Sequence, residues 1–174
     1  AGVHTLKVLA QATRLSPDAR VRFAALLHDL GKGTTPPEEW PKHRGHEERS
    51  VDLVRAVCQR LRTPNEYRDL ALLVARYHLH CYRAAELRDA TLLETLEALD
   101  AFRRPERVEA FLLACEADYR GRTGYEERPF PQADIFRRAF AVARVVDAAV
   151  IAAGQSGPQV GEAIRQARIE AVRQ

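Results

Sequence analysis

The sequence predicts an all-α fold. Apolar residues recur every three or four positions through most of its 174 residues, Gly and Pro clusters punctuate those stretches, and no segment alternates at the two-residue period of a strand for long enough to build a sheet. The composition agrees. With 46% apolar residues, 29% charged residues and 9 each of Gly and Pro, the chain reads as a folded globular domain, neither disordered nor low-complexity.

The first helix is expected over Thr5 to Leu15, with Leu6, Leu9 beside Val8, and Ala12 or Thr13 at helical spacing, and it stops at Leu15-Ser16-Pro17. Ser16 is the expected cap of a second helix, with Pro17 in the first turn and Val21, Ala24, Ala25 and Leu26-Leu27-His28 facing inward. Gly31-Lys32-Gly33 ends it, and Thr34 to Gly45, with three prolines and the sole tryptophan, reads as a loop that Trp40 staples to the body. A third helix follows from about His46 to Leu61, burying Val51, Leu53-Val54, Val57-Cys58 and Leu61. Thr63-Pro64-Asn65-Glu66 has the pattern of a capping box and launches a fourth through Leu70, Leu73-Val74 and Tyr77-His78. Later helices are expected over Ala90 to Leu99, Pro105 to Tyr119, Pro131 to Ala153 and Val160 to Val172, with breaks at Gly121-Arg122-Thr123-Gly124 and Gly154-Gln155-Ser156-Gly157-Pro158.

Several classes fall away. No apolar run approaches a membrane span and no secretory leader opens the chain. Cys58, Cys81 and Cys115 are odd in number, far apart and free of any CxxC pair, which argues against a disulfide framework and for a reducing, cytoplasmic setting. The formal charge of +3 proves no nucleic-acid partner, although 24 Arg against 3 Lys makes local clusters worth reading. With no methionine and a His already at position 4, the chain is expected to be a fragment of a longer protein.

The chemistry concentrates in the first 80 residues, which hold all six histidines: His4, His28, His43, His46, His78 and His80. His28-Asp29 sets an imidazole and a carboxylate side by side at the end of an apolar helix. Consecutive helical residues diverge by about 100°, so a shared ion must lie between their directions near the helix end. Imidazole nitrogen and carboxylate oxygen suit Mg, Mn, Co, Ni or Zn. His43 and His80 read as surface residues.

The run His4, then His28-Asp29-Leu30-Gly31-Lys32-Gly33-Thr34-Thr35-Pro36-Pro37, Gly45-His46-Glu47, Thr63-Pro64-Asn65-Glu66 and Glu116-Ala117-Asp118-Tyr119-Arg120-Gly121-Arg122 resembles the HD-domain phosphohydrolase superfamily. Within it the chain is similar to the C-terminal HD domains of the bacterial multifunctional CCA-adding enzymes, the tRNA nucleotidyltransferases. The resemblance implies an HD-domain helical bundle with additional C-terminal helices: residues 1–125 as the metal-dependent unit and 126–174 as a helical tail packed on it or contacting tRNA. It implies a divalent ion on His4, His28, Asp29 and a late Asp, for which Asp118 is preferred over Asp100. It implies hydrolysis of 2',3'-cyclic phosphodiesters, 2'-nucleotides and other phosphomonoesters, with His28, Asp29 and Lys32 catalytic and the tRNA 3' end as the setting. His46 and His78 resemble the added histidines that contact substrate or hold a second metal in some branches.

Lys32 has two readings, a phosphate contact or a cation favoured at a helix C-terminus. Arg103, Arg104 and Arg107, then Arg120 and Arg122, and the Arg137-Arg138 pair are candidate tRNA backbone contacts, with Tyr119, Tyr125 and Phe130 as candidate base-stacking rings. An N-terminal nucleotidyltransferase head is the expected covalent partner, and a homodimer stays open. The rival functions are an independent HD nucleotidase or cyclic-nucleotide phosphodiesterase, and a non-catalytic tRNA-docking domain.

Overall fold

The computed structural model describes residues 2–153, 157 and 159–173. Among the described residues there is no strand, and the chain runs through α1 (Gly2–Leu15), α2 (Ala19–Leu27), α3 (His46–Leu61), α4 (Asn65–Tyr82), α5 (Asp89–Ala98), α6 (Glu106–Arg120), α7 (Pro131–Arg144), α8 (Ala148–Ala153) and α9 (Gln159–Arg173). None of these helices is long and apolar enough to cross a membrane.

Local chemistry moves several expected boundaries. Asp18, not Ser16, caps α2: its carboxylate accepts from the Arg20 amide at 2.8 Å, while the Ser16 hydroxyl accepts from the Asp18 amide. The Thr63 capping box does not form, because Pro64 itself occupies the cap of α4 and no side chain bonds there. The expected helix from Pro131 to Ala153 is broken after Arg144, where the Asp147 carboxylate accepts from the Ala149 and Val150 amides and starts α8 afresh. The segment after α2 is not plain loop, since Leu30–Thr34 and Pro37–Glu39 form short 3₁₀ turns. Of the Gly154-to-Pro158 break, only Gly157 lies among the described residues, with φ of +60°.

Burial corrects some facing assignments too. Leu6 and Leu61 are 67% and 59% exposed, and α1 instead buries Val8, Gln11 and Ala12, the stripe that puts His4 on the inner side. Trp40 is 61% exposed; its indole N–H donates to the Thr35 carbonyl, so it ties the loop to itself and not to the body.

The main core joins α2, α3, α4 and α6 through Val21, Ala24, Val54, Ala71, Val74, Phe111 and Leu112, and α7 enters it as Phe136 packs edge-on against Phe111 at 6.4 Å. Fully burying a ring such as Phe111 is worth about 1.5–3 kcal/mol. A smaller cluster of Val8, Ala12, Ala25 and Ala117 locks α1 between α2 and α6. Leu93, Ala143 and Ile169 tie α5, α7 and α9 together. The first two clusters determine where the functional groups meet.

Candidate metal centre

Five segments converge: His4 comes from α1, His28-Asp29 from the end of α2, His46 from the first turn of α3, His78 from α4 and Asp118 from α6. Donor atoms of His4, His28, Asp29 and Asp118 all lie within 4.8 Å of one another, and the same holds for Asp29, His46 and His78. Asp29 belongs to both groups.

The imidazoles are oriented by backbone. Nδ1–H of His28 donates to the Ala25 carbonyl at 2.7 Å, that of His46 to His43 at 2.9 Å and that of His78 to Val74 at 3.0 Å, while His4 Nδ1 faces the Gly121 carbonyl at 3.3 Å. A carbonyl only accepts, so at His28, His46 and His78 the contact places a proton on Nδ1 and turns Nε2 toward the carboxylates, whereas at His4 both ring nitrogens face acceptors. His4 Nε2 is 2.8 Å from Asp118 Oδ1, and His28 Nε2 stands 3.3 Å from that same oxygen and 3.2 Å from Asp29 Oδ2. His46 Nε2 is 3.2 Å from Asp29 Oδ1 and 3.4 Å from His78 Nε2.

Two of these atoms are orphans. His28 Nε2 and Asp29 Oδ1 are buried and make no hydrogen bond, although His28 Nε2 stands 3.2 Å from Asp29 Oδ2 and 3.3 Å from Asp118 Oδ1, and Asp29 Oδ1 stands 3.2 Å from His46 Nε2. An unsatisfied buried polar atom costs about 1–3 kcal/mol, more when charged. Two of them facing a cluster of nitrogen and oxygen donors fit a divalent cation of borderline-to-hard character.

The charges reinforce one another. Burial pulls the His28 pKa down, but the adjacent Asp118 and Asp29 carboxylates outweigh it and hold it up at about 10. Burial pushes Asp29 up, yet contacts with His28 and His46 and the charge of Lys32 drive it well below the usual carboxylate range. Asp118 is likewise driven down against its burial by His28 and His4. Burial, with the His28 charge, lowers His78 to about 4.

Two glycines allow the helices to come this close. A Cβ on Gly121 would stand 2.5 Å from Val8 Cγ2, so the turn after α6 passes α1 only because that residue is Gly. A Cβ on Gly31 would overlap the His46 carbonyl and reach within 2.6 Å of the Ser50 amide; instead the Gly31 N–H donates to Ser50 Oγ at 2.8 Å. Arg49 then clamps the rim, donating to the carbonyls of Gly31 and Arg44 and to Thr35 Oγ1. In the sequence both glycines mark only breaks, and nothing local marks Arg49 and Ser50, whose roles depend on tertiary neighbours that no spacing reveals. Nor does spacing mark Tyr82, whose hydroxyl is buried and makes no hydrogen bond; burial first, then the Asp118 charge, raises its pKa.

The remaining expected residues are placed as follows. Asp100, the rival for the late ligand, belongs to neither donor group; it is half-buried on the turn after α5 and paired with Arg103. Lys32 Nζ donates to Asp29 Oδ2 at 2.5 Å. His43 is not a surface residue: it is half-buried, and its carbonyl orients His46. His80 is half-buried too, with Nδ1–H donating to Thr95 Oγ1 at 2.8 Å. Arg103 and Arg104 pair with Asp100, Arg107 with Asp69 and Arg120 with Glu116, while Arg122 lies over the Tyr82 ring. Tyr119 and Phe130 stack on each other at 4.9 Å beside Tyr82, and Tyr119 meets Tyr125 at 5.1 Å.

A helical bundle that gathers histidines around a His-Asp pair and a late Asp matches the HD domain family model over residues 2–119, and the chain belongs to that family. More particularly, it is similar to the multifunctional CCA proteins. It is 61% identical over 99% of its length to that of Thioalkalivibrio sulfidiphilus, 57% over 99% to that of Nitrosococcus oceani, and 59% over 87% to that of Nitrosospira multiformis. The matches cover 42%, 43% and 37% of those relatives, so the chain spans about two fifths of their length. No solved structure matches it.

Proposed function

We propose that this domain is a divalent-metal-dependent phosphohydrolase acting on 2',3'-cyclic phosphodiesters, 2'-nucleotides and other phosphomonoesters. Its proposed setting is a tRNA nucleotidyltransferase of the multifunctional CCA type, joined to a nucleotidyltransferase head and working at tRNA 3' ends. One observation carries the reading. Four donors from three separated helical segments converge within 4.8 Å, and two buried polar atoms in that cluster make no hydrogen bond.

His4, His28, Asp29 and Asp118 are the residues that would hold the ion, whether Mg, Mn, Co, Ni or Zn. A divalent cation there supplies a Lewis acid for a phosphoryl oxygen and makes water a competent nucleophile near neutral pH. Asp29, held ionised by its neighbours, orients a water through Oδ1 and does not need to act as the general base. Lys32, already on Asp29 and partly exposed, offers its ammonium to an incoming phosphate oxygen. His46 and His78 present Nε2 toward Asp29 Oδ1, where they contact substrate or, with Asp29, accept a second ion. Arg103, Arg104, Arg107, Arg120 and Arg122 belong to the proposal as tRNA contacts; salt-dependent tRNA binding that each substitution flattens is the expected result.

The test is a metal-by-substrate panel with 2',3'-cyclic AMP and p-nitrophenyl phosphate on wild type, His28→Ala and Asp29→Ala. Turnover with at least one ion, lost in both variants, is expected. No turnover with any ion overturns the hydrolase and leaves the tRNA-docking function; variants equal to wild type would assign the activity to a contaminant.

A further inference from the structure

The loop between Lys32 and His46 carries the one tryptophan of the chain, and nothing in the proposed hydrolytic centre uses it. Trp40 leaves 61% of its surface open to solvent, although an indole is the side chain with the most to gain from burial. Its N–H is nevertheless committed to the Thr35 carbonyl at 3.1 Å, so the ring is oriented by a bond while its faces are not packed away. Thr35 is in turn held by Arg49, whose guanidinium also grips Gly31 and Arg44. The presented ring is thereby anchored to the same backbone that positions Asp29 and His46.

Beside the ring opens a depression of about 630 Å³ lined by Glu38, Glu39, Trp40, Lys42, Arg44 and Gly45, and Gly45 is the residue before His46. Among the described residues, the Lys42 ammonium and the Arg44 guanidinium have no ion pair or hydrogen bond, whereas Arg103, Arg104, Arg107, Arg120 and Arg137 are all matched by carboxylates. Glu38 and Glu39 line the same depression. A phosphate there has two unpaired cations to bind, and the carboxylates are left to accept from the N–H groups of a base.

We propose that this loop is a nucleotide subsite: Trp40 stacks on a base, and Lys42 and Arg44 take a phosphate on the 5' side of that nucleotide, leaving its 2' or 2',3'-cyclic phosphate to the hydrolytic centre. The ring supplies a sequence-tolerant platform, and the free cations supply the charge complement that an aromatic surface alone lacks. The inference rests on the reading of the neighbouring centre as a phosphohydrolase of nucleotides, and it names the part of the substrate that the centre itself does not touch. A free mononucleotide and the terminal nucleotide of a single-stranded RNA present the same chemistry.

The single tryptophan supplies a readout independent of turnover. Fluorescence of the full chain, excited at 295 nm, is followed with no metal added during titration with adenosine 2',5'-bisphosphate, ribose 5-phosphate and a short oligoadenylate. Saturable quenching by the two base-bearing probes and none by the base-free sugar phosphate is expected. Quenching by the mononucleotide identifies a free nucleotide as sufficient; quenching by the oligonucleotide alone identifies an RNA end. Lys42→Ala and Arg44→Ala should each raise the half-saturating concentration about three- to tenfold with the melting curve unchanged.

In steady state, Trp40→Ala should lower the preference for 2',3'-cyclic AMP over a base-free phosphomonoester roughly five- to a hundredfold, the range that base stacking supports, with Trp40→Phe intermediate. Equal responses to base-bearing and base-free probes, or an unchanged preference in Trp40→Ala, overturn the subsite. Quenching that persists in a protein with no hydrolytic activity under any ion would retire the hydrolase reading and leave the subsite standing.

Discussion

The histidines around Asp29 and Asp118 and the arginines around Asp100 and Asp69 are both dense in charge, but they are built in opposite ways. At the arginine corner, Arg103 Nε sits 2.7 Å from Asp100, Arg107 reaches Asp69 at 3.4 Å, and Arg68 covers the other Asp69 oxygen at 2.8 Å. Every carboxylate there has a cation, and Arg103 and Arg68 are open to water. In the histidine cluster His28, His46, His78 and Asp118 are buried, each ring meets a backbone carbonyl, and His28 Nε2 and Asp29 Oδ1 make no hydrogen bond. A surface cluster of matched charges is complete as it stands; a buried cluster that keeps nitrogen and oxygen atoms without hydrogen bonds offers those atoms to a cation.

Asp29→Ala should show the largest difference, because Asp29 alone belongs to both donor groups. A ligand at a hundred times its Kd stabilises the fold by about 2.7 kcal/mol, and that cation-induced rise in melting temperature should disappear in Asp29→Ala together with turnover. The pair Asp118→Asn and Asp100→Asn sharpens the contrast. The first should abolish the cation-induced rise and the second should leave it intact; the reverse would return the late ligand to Asp100.

Next in size are the glycines. Gly121→Ala forces a methyl against Val8 and Gly31→Ala forces one into the backbone of His46 and Ser50. Overpacking of this kind costs about 1–3 kcal/mol, and the Gly31 variant, which meets backbone and not a movable side chain, should lie at or above the top of that range by denaturant melts. Both should weaken cation binding, since each moves one wall of the cluster. A stable Gly31→Ala protein with unaltered cation binding would show that the close approach does not position the site.

Much of this was legible in the sequence for reasons that are local. The all-α class follows from spacing, and the His28-Asp29 pair is conspicuous in its own right. The errors also have local causes. Ser16 and Asp18 are both good caps, and only the chain's path decides between them; Val145 and Val146 look as helical as their neighbours, and Asp147 wins by offering its carboxylate to two free amides. Leu6 and Val8 are both apolar, so which of them faces inward is set by where His4 must meet Asp118, 114 residues away. The roles of Gly31, Gly121 and Arg49 exist only as contacts between distant segments, and no periodicity encodes them.

Protonation separates the two regions further. The two carboxylates hold the His28 pKa near 10 against the effect of burial, so at neutral pH without an ion the ring carries a proton that a cation has to displace. Protons and cation therefore compete, and binding should tighten as pH rises through the range below that value. One displaced proton corresponds to about a tenfold gain in affinity per pH unit between pH 6 and 8. Calorimetry in buffers of different ionisation enthalpy should find that proton released. A pH-independent affinity with no proton release would show that His28 is not a ligand.

The smallest effect belongs to the arginine corner. Arg103 is largely exposed and its partner Asp100 sits on a surface turn, so their attraction is screened by water and salt. Arg103→Ala should leave the melting temperature of the isolated chain within measurement error at physiological ionic strength, with cation binding unchanged. The same substitution should be visible only with tRNA present, as a shallower dependence of binding on salt. If Arg103→Ala instead destabilised the free chain as strongly as Gly31→Ala, the corner would be a structural network in its own right, and its arginines would not be available to a phosphate backbone.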